Sequence, residues 1–368
     1  MPPIRFIHAA DLHLDAAFSG LSRDIPADFA ERLRTATFTA FRRLLDLCER
    51  ESPDFLLLAG DVYNQEDASV SAQLALRDGF RRLESLSIPV FLVHGNHDPL
   101  ASRLRSVRWP GNVTVFGELP DAVPVFRKGE GTPLAIIHGA SHASGRETRN
   151  LAALFRRTEA CGLHVGLLHA TPGDADGVAR YAPFSQGDLK ASGMDYWALG
   201  HIHDRREVCR EPLAAYPGCT QGLHINEPGE KGCLLVTAEA RPDGGYAVRT
   251  SFRPLGPAVW KTLDMDLGGA ASLDELENRL RTGLDRAAAE VWSGCEMLLV
   301  RLRLQGRTEL DGLLRKGTTC AELADRLRED GSGVPRIWIK DIDVATRPCV
   351  ERGALLERED LLGEVFRL

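Results

Sequence analysis

Asp54-Phe55-Leu56-Leu57-Leu58-Ala59-Gly60-Asp61 is a mostly apolar run, too short for a helix, that ends on a glycine and a carboxylate. Runs of this texture read as strands of a parallel sheet, buried on both faces. The same texture recurs on either side. Upstream, Ile4–Ala9 runs into Asp11-Leu12-His13; downstream, Pro89–Val93 runs into His94-Gly95-Asn96-His97-Asp98. Between the first two runs, Phe29, Leu33, Phe38, Phe41, Leu44, Leu45 and Cys48 recur at mostly helical spacing from about Pro26 to Arg50, with Pro26 suited to a first turn. A second amphipathic stretch spans about Ser69 to Leu86. Strand, helix, strand, helix, strand predicts a parallel sheet with crossover helices, whose ligands lie beyond the carboxyl ends of the strands.

After Asp98 the elements shorten. Val113–Phe116, Ala122–Phe126 and Leu134–Ile137 read as strands separated by Gly and Pro. Val165–Leu168 and Tyr196–Leu199 are again buried runs, delivering His169 and Gly200-His201-Ile202-His203. Leu234–Glu239 and Tyr246–Phe252 flank Asp243-Gly244-Gly245 as a hairpin would. The whole predicts an α/β fold in which two sheets pack face to face with helices outside, an α/β/β/α sandwich. A break near Arg253-Pro254-Leu255-Gly256-Pro257 divides residues 1–255, which carry every ligand cluster, from a small α+β domain over 256–368. Strands Thr262–Leu267, Met297–Leu304 and Arg336–Val344 and helices Leu273–Ala288 and Cys320–Arg328 are expected there.

At 368 residues, 43% hydrophobic and 26% charged, the chain has the length and composition of a two-domain globular protein. Its net charge of −7 argues against indiscriminate polyanion binding, and residues 256–368 hold 17 Lys and Arg against 21 Asp and Glu, which excludes a basic nucleic-acid arm. A local positive zone is compatible with this. Two bound dications would outweigh Asp11 and Asp61, and Arg103, Arg105, Arg108, Arg205 and Arg206 would extend the zone. Met1-Pro2-Pro3 leads into the first strand without a basic or apolar leader, so no signal peptide is expected, and no apolar run is long enough to span a bilayer. The eight cysteines are scattered without a C-x-x-C pair, and read as reduced thiols of a cytoplasmic protein.

Aspartate, asparagine and histidine are the ligand types for a pair of borderline-hard divalent ions. Asp11 and His13 alternate along an extended segment and so point to one side, and His201 and His203 are likewise two apart. Asp61 can bridge through its two oxygens. A consistent assignment puts Asp11, His13, Asp61 and His203 on one ion, and Asp61, Asn96, His169 and His201 on the other. Mn²⁺ is expected for this mixed carboxylate, amide and imidazole set, with Zn²⁺ and Fe²⁺ chemically admissible. In such a site a bridging hydroxide attacks phosphorus in line while both ions hold the phosphoryl oxygens. His97, left over beside Asn96, suits protonation of the leaving oxygen.

Asp11-Leu12-His13, Gly60-Asp61-Val62-Tyr63-Asn64, Gly95-Asn96-His97-Asp98, His169 and Gly200-His201-Ile202-His203 together resemble the calcineurin-like metallophosphoesterase superfamily. Ala9-Ala10-Asp11-Leu12-His13-Leu14-Asp15 and the appended C-terminal segment are similar to SbcD-type DNA-repair exonucleases. Tyr216-Pro217-Gly218 and Gly222-Leu223-His224-Ile225-Asn226-Glu227 resemble their YhaO-like branch. The resemblance implies a metallophosphoesterase sandwich with a capping domain and a DNA exonuclease or endonuclease activity. It also implies a homodimer through helices at about 26–50 and 69–86, and an SbcC-like ATPase partner bound by helices after the capping domain. Few residues follow Glu364 to build such helices.

One departure stands out. Three residues past the bridging aspartate, relatives often carry an acid or histidine that orients the catalytic histidine, and this chain has Asn64. Asn64 is expected to hydrogen-bond the His97 ring without stabilising its charge, with Asp67 or Asp98 as substitutes. His138 and His142 are expected to be structural or to support ligands, and the role of His224 is open. Two other readings remain: a phosphoesterase for small phosphodiesters or phosphomonoesters, and a DNA-binding subunit with a degenerate metal site.

Overall fold

The chain is described as a computed structural model covering residues 2–21, 25–64, 69–102, 107–174, 180–242, 244–329, 333–349 and 364. It divides into two compact units, Met1–Ala258 and Val259–Leu368. Asp67, Arg103, Arg105 and the hairpin residue Asp243 lie outside the described residues.

In the first unit, β1 (Ile4–Ala9), β2 (Phe55–Ala59), β3 (Val90–Val93) and β4 (Val113–Val115) run parallel in the order expected of crossover units. A second sheet contains β5 (Asp121–Val125), β6 (Ala135–Ala140), β7 (Leu163–His169), β8 (Tyr196–Gly200), β9 (Arg206–Arg210) and β10 (Leu213–Tyr216), in the order β5-β6-β7-β8-β10-β9. The hairpin β11 (Gly232–Ala240) and β12 (Tyr246–Pro254) closes the first sheet by pairing antiparallel to β1.

Every residue of β2 is buried, and its alternating side chains serve two different layers. Helix α1 (Ala27–Arg34) leads into α2 (Ala36–Glu51); Leu56 and Leu58 join Ile7, Val90 and Leu92 against α2 and α3 (Val70–Ser85), where Phe41, Leu44, Phe80 and Leu83 are buried. Phe55 and Leu57 face the other way, with Phe6, Phe91, Val165, Leu167 and Tyr196 between the two sheets. Beyond the second sheet, Leu168, Trp197 and Leu199 pack with Phe155 and with Leu189 of α4 (Gln186–Ala191). The expected α/β/β/α sandwich is therefore the observed fold. Two apolar faces per strand explain why the central runs show no polar alternation.

The segment expected as one helix from Pro26 to Arg50 is two. The break falls at Thr35 (φ −96°, ψ 2°), whose hydroxyl donates back to the Glu31 carbonyl at 3.1 Å. That bond gives the turn an alternative to the helical ladder. Pro26 stands just ahead of α1, in extended conformation.

The second unit is a three-stranded sheet, β13 (Ala258–Asp266), β14 (Met297–Gln305) and β16 (Arg336–Val344), with β14 in the middle. A short pair, β15 (Arg307–Thr308) with β17 (Arg347–Pro348), lies beside it in sequence. Helices α5 (Leu273–Glu290), α6 (Asp311–Leu314) and α7 (Gly317–Glu329) supply Leu276, Leu280, Leu284, Leu314 and Leu323 to a core with Leu298, Val300 and Leu302.

Candidate metal centre

Beyond the ends of β1 and β2 the two segments stay zipped. The amides of Asp11, His13 and Leu14 donate to the carbonyls of Gly60, Asp61 and Val62 at 3.1, 3.1 and 3.0 Å. Asp11, His13 and Asp61 all take positive φ (51°, 40° and 49°), an arrangement that costs each non-glycine residue about 1–3 kcal/mol and is characteristic of functional sites. Glycines make room around them. At Gly60 (φ +89°) a β-carbon would sit 2.5 Å from His169 Nδ1, and one at Gly95 would press on the Asp61 carboxylate and come within 2.8 Å of the His169 ring.

The side chains from five strand ends converge. Asp11, His13 and His203 each offer a ligand atom within 4.8 Å of the others, and Asp61, His169 and His201 form a second such group. Asn96 Oδ1 lies 3.0 Å from His169 Nε2, and Asp61 Oδ2 lies 3.4 Å from the same nitrogen and 4.0 Å from His13 Nε2. Asp61 thus touches both groups. Asp11 is fully buried and accepts from the His201 amide with both oxygens, at 3.2 and 3.1 Å. His97 is exposed; its amide donates to Asp61 Oδ1 at 3.0 Å, and its ring stands edge-on to His13, 5.2 Å between centroids.

These imidazoles suit cations. His169 donates Nδ1–H to the Ala59 carbonyl (2.9 Å) and His13 donates Nδ1–H to Asn64 Oδ1 (2.7 Å), so Nε2 is the lone-pair donor of each ring in its neutral form. His203 Nδ1 is bonded to Glu227 and its Nε2 faces His13 Nε2 at 3.1 Å; burial lowers this ring's pKa, but Glu227 and Asp11 outweigh burial and raise it, so Nε2 becomes a lone-pair donor once its proton is displaced. Two nitrogens at that distance share one positive species, a proton in the bare cluster or a metal ion in its place. Imidazole nitrogens bound to one ion at about 2.1 Å each stand about 3 Å apart when they subtend about a right angle. The residues fit a metal pair.

Charge in the bare cluster follows burial and mutual attraction. Burial pushes Asp11 up to about 6, against the opposing pull of His169 and His203. Asp61 is equally buried, yet His169, His13 and His97 hold it below the usual carboxylate range. Burial lowers His13 to about 4. For His169 burial is outweighed by Asp61 and Asp11, which raise it to about 9. Protons occupy this site where cations would displace them.

All nine predicted site residues converge here, but one partner differs from expectation. Asn64 binds His13, not the His97 ring, because its carbonyl oxygen is taken by Nδ1–H of His13. Asp98 does not substitute, since its buried carboxylate accepts from the amides of Val62 (3.0 Å) and Gly95 (2.8 Å). His142 donates Nε2–H to the His169 carbonyl at 2.6 Å, whereas His138 stacks on His164 away from the cluster. Arg205 lies over Phe252 and Arg206 over Tyr216.

Sequence reasoning missed Glu227 and Lys231. Both are buried, at 6% and 5% exposure, and both bind His203. The signal was present, a carboxylate closing the Gly222–Glu227 stretch and a lysine ahead of an apolar strand, but nothing in the spacing tied either to a histidine more than twenty residues away. Cys219 completes a third grouping with His203 and Glu227, though burial pushes its thiol well above the ordinary range and keeps it protonated.

Comparison with known proteins places the chain. The family described as calcineurin-like phosphoesterase matches residues 4–205, more than half its length, and the chain belongs to that family. Residues 260–347 match the middle domain of the metallophosphoesterase YhaO. An uncharacterized metallophosphoesterase of Bacillus subtilis, YhaO, is 36% identical over 93% of this chain and 82% of its own length. The DNA double-strand break repair protein Mre11 of Aeropyrum pernix is 28% identical over 79% of this chain and 69% of its own, and that of Methanopyrus kandleri 23% identical over 98% and 85%. No helix among the described residues is long and apolar enough to cross a membrane.

Proposed function

We propose that this chain is a metal-dependent phosphodiesterase that cleaves DNA, with Mn²⁺ as the metal. The observation that carries the reading is the convergence of two imidazole nitrogens 3.1 Å apart beside a shared aspartate, with an exposed histidine next to them. Asp11, His13, Asp61 and His203 would hold one ion, and Asp61, Asn96, His169 and His201 the other. Two ions held there supply a strong nucleophile at neutral pH and neutralise charge on the phosphoryl oxygens.

The protein's own groups do the rest. Asp11 and Asp61 bring negative charge into a buried floor, and Asn96 adds a neutral oxygen. His97 is pinned by its main chain, through its amide on Asp61, while its ring stays exposed, as a group that must reach substrate requires. It donates a proton to the departing oxygen. The Mre11 relatives, named for double-strand break repair, favour DNA over a small phosphoester as substrate.

The test is cleavage of end-labelled linear duplex and single-stranded DNA with added Mn²⁺, comparing wild type with His97→Ala. Metal-dependent cleavage that falls by at least 100-fold in the variant is the expected result. Failure to cut either DNA, with a small chromogenic diester still hydrolysed, overturns the DNA reading. An active His97→Ala overturns the acid role.

A further inference from the structure

Three of the candidate ligand imidazoles are held by three different acceptors. A backbone carbonyl holds His169 and an amide oxygen holds His13, but a carboxylate, Glu227, holds His203. His203 is also the most open of them, with 30% of its side chain exposed against 5% for His13 and none for His169. The stretch around Glu227 is built to grip it. The second oxygen of Glu227 accepts the Leu223 amide at 2.6 Å, and His224 Nε2 lies 3.2 Å from the first. The His203 carbonyl accepts from Lys231 Nζ at 3.0 Å and from the Cys219 amide at 3.2 Å. Gly218 (φ +81°) admits this approach, since a β-carbon there would lie 2.7 Å from that carbonyl.

We propose that Glu227 is a positioning residue for the ion site that contains Asp11, His13 and His203. It fixes the His203 tautomer with Nε2 toward Asp11 and His13, and its charge strengthens that nitrogen as a donor. Carboxylates behind ligating histidines do both, and their loss typically weakens metal binding 10–100-fold. The role is selective: Glu227 bonds no residue of the Asn96–His169–His201 group among the described contacts. Asn64 backs His13 without charge, so among the described residues Glu227 is the one ionic support behind the imidazoles that would hold that ion.

The inference rests on the metal-site reading, and the experiment separates the two. Chelator-stripped full-length wild type, Glu227→Ala and Glu227→Gln are titrated with Mn²⁺ by calorimetry, and melting is recorded without metal. Wild type takes up two ions. Glu227→Ala is expected to weaken one site by 10–100-fold and leave the other within threefold, while Glu227→Gln, which keeps an acceptor but no charge, falls between. If both sites of both variants match wild type, Glu227 has no such role. If both sites weaken together and the metal-free melting point drops, Glu227 supports the loop and the selective proposal fails. Should Glu227→Ala not fold, Glu227→Gln reads the same quantity. A wild type that binds no Mn²⁺ at all overturns the metal-site reading instead.

Discussion

Asp98 ties together the two segments on which the site depends. Its carboxylate is fully buried; Oδ1 accepts the Gly95 amide at 2.8 Å and Oδ2 the Val62 amide at 3.0 Å. The first bond braces the turn carrying Asn96 and His97, and the second braces the chain just past Asp61. Asp98→Ala strips the acceptor from two buried backbone donors, each costing about 1–3 kcal/mol when unsatisfied. Water entering the vacated space recovers part of that, so a net loss of about 3 kcal/mol is expected. For a unit the size of Met1–Ala258 this lowers the melting point by roughly 6–12 °C, at about 2–4 °C per kcal/mol. Scanning calorimetry on chelator-stripped protein isolates the effect from metal linkage. Asp98→Asn keeps one acceptor oxygen and falls between the two. The Mn²⁺ titration of Asp98→Ala should show both sites weakened if Asp61 bridges the two ions as proposed. A melting point within about 2 °C of wild type would refute the reasoning, because two orphaned buried donors cannot cost so little.

Two further outcomes follow from burial and linkage. Burial pushes His8 down to about 3, against the Leu199 carbonyl that raises it, and its ring is bonded to Tyr196 and Leu199. Its folded pKa lies below the unfolded value, so the native state binds fewer protons; His8 contributes its full stability above about pH 6.5, and that is lost at about 1.4 kcal/mol per unit as pH falls toward 3. Between pH 7.5 and 5.0 this amounts to about 2 kcal/mol, read as urea midpoints on stripped protein. His8→Gln should flatten the slope by that amount, and an unchanged slope would count against it. Metal removal should also register in stability: free Mn²⁺ at 100 times its Kd contributes about 2.7 kcal/mol per site, so a chelator that leaves the melting point unmoved argues against a metal pair.

The sequence announced the site more clearly than its supports, for a physical reason. Strands buried on both faces are mostly apolar, so polar clusters at their ends stand out, and Asp11, Asp61, Asn96, His169 and His201 are visible at once. The same logic yielded the sandwich, because β2, β3 and β8 are continuous apolar runs and β1 and β7 are mostly so. It failed for β9, whose Arg206-Glu207-Val208-Cys209-Arg210 is largely open to solvent and carries no such signature. It failed too for the break at Thr35, where a single hydroxyl redirects a turn that the apolar spacing would continue.

Pairing is harder to read than placement, because a hydrogen-bond partner is chosen by tertiary geometry and not by spacing. Asn64 stands three residues from Asp61 and was expected beside His97, yet the zipped segments carry His13 to it first. That shift changes the chemistry assigned to Asn64. A neutral amide behind a catalytic acid would weaken proton donation, whereas behind an imidazole proposed to bind metal it would fix a tautomer at little electrostatic cost. His97 is then left with its main chain fixed and its ring edge-on to His13. An Asn64→Asp variant therefore bears on metal affinity through His13, and a change in turnover without a change in Mn²⁺ binding would point back to His97.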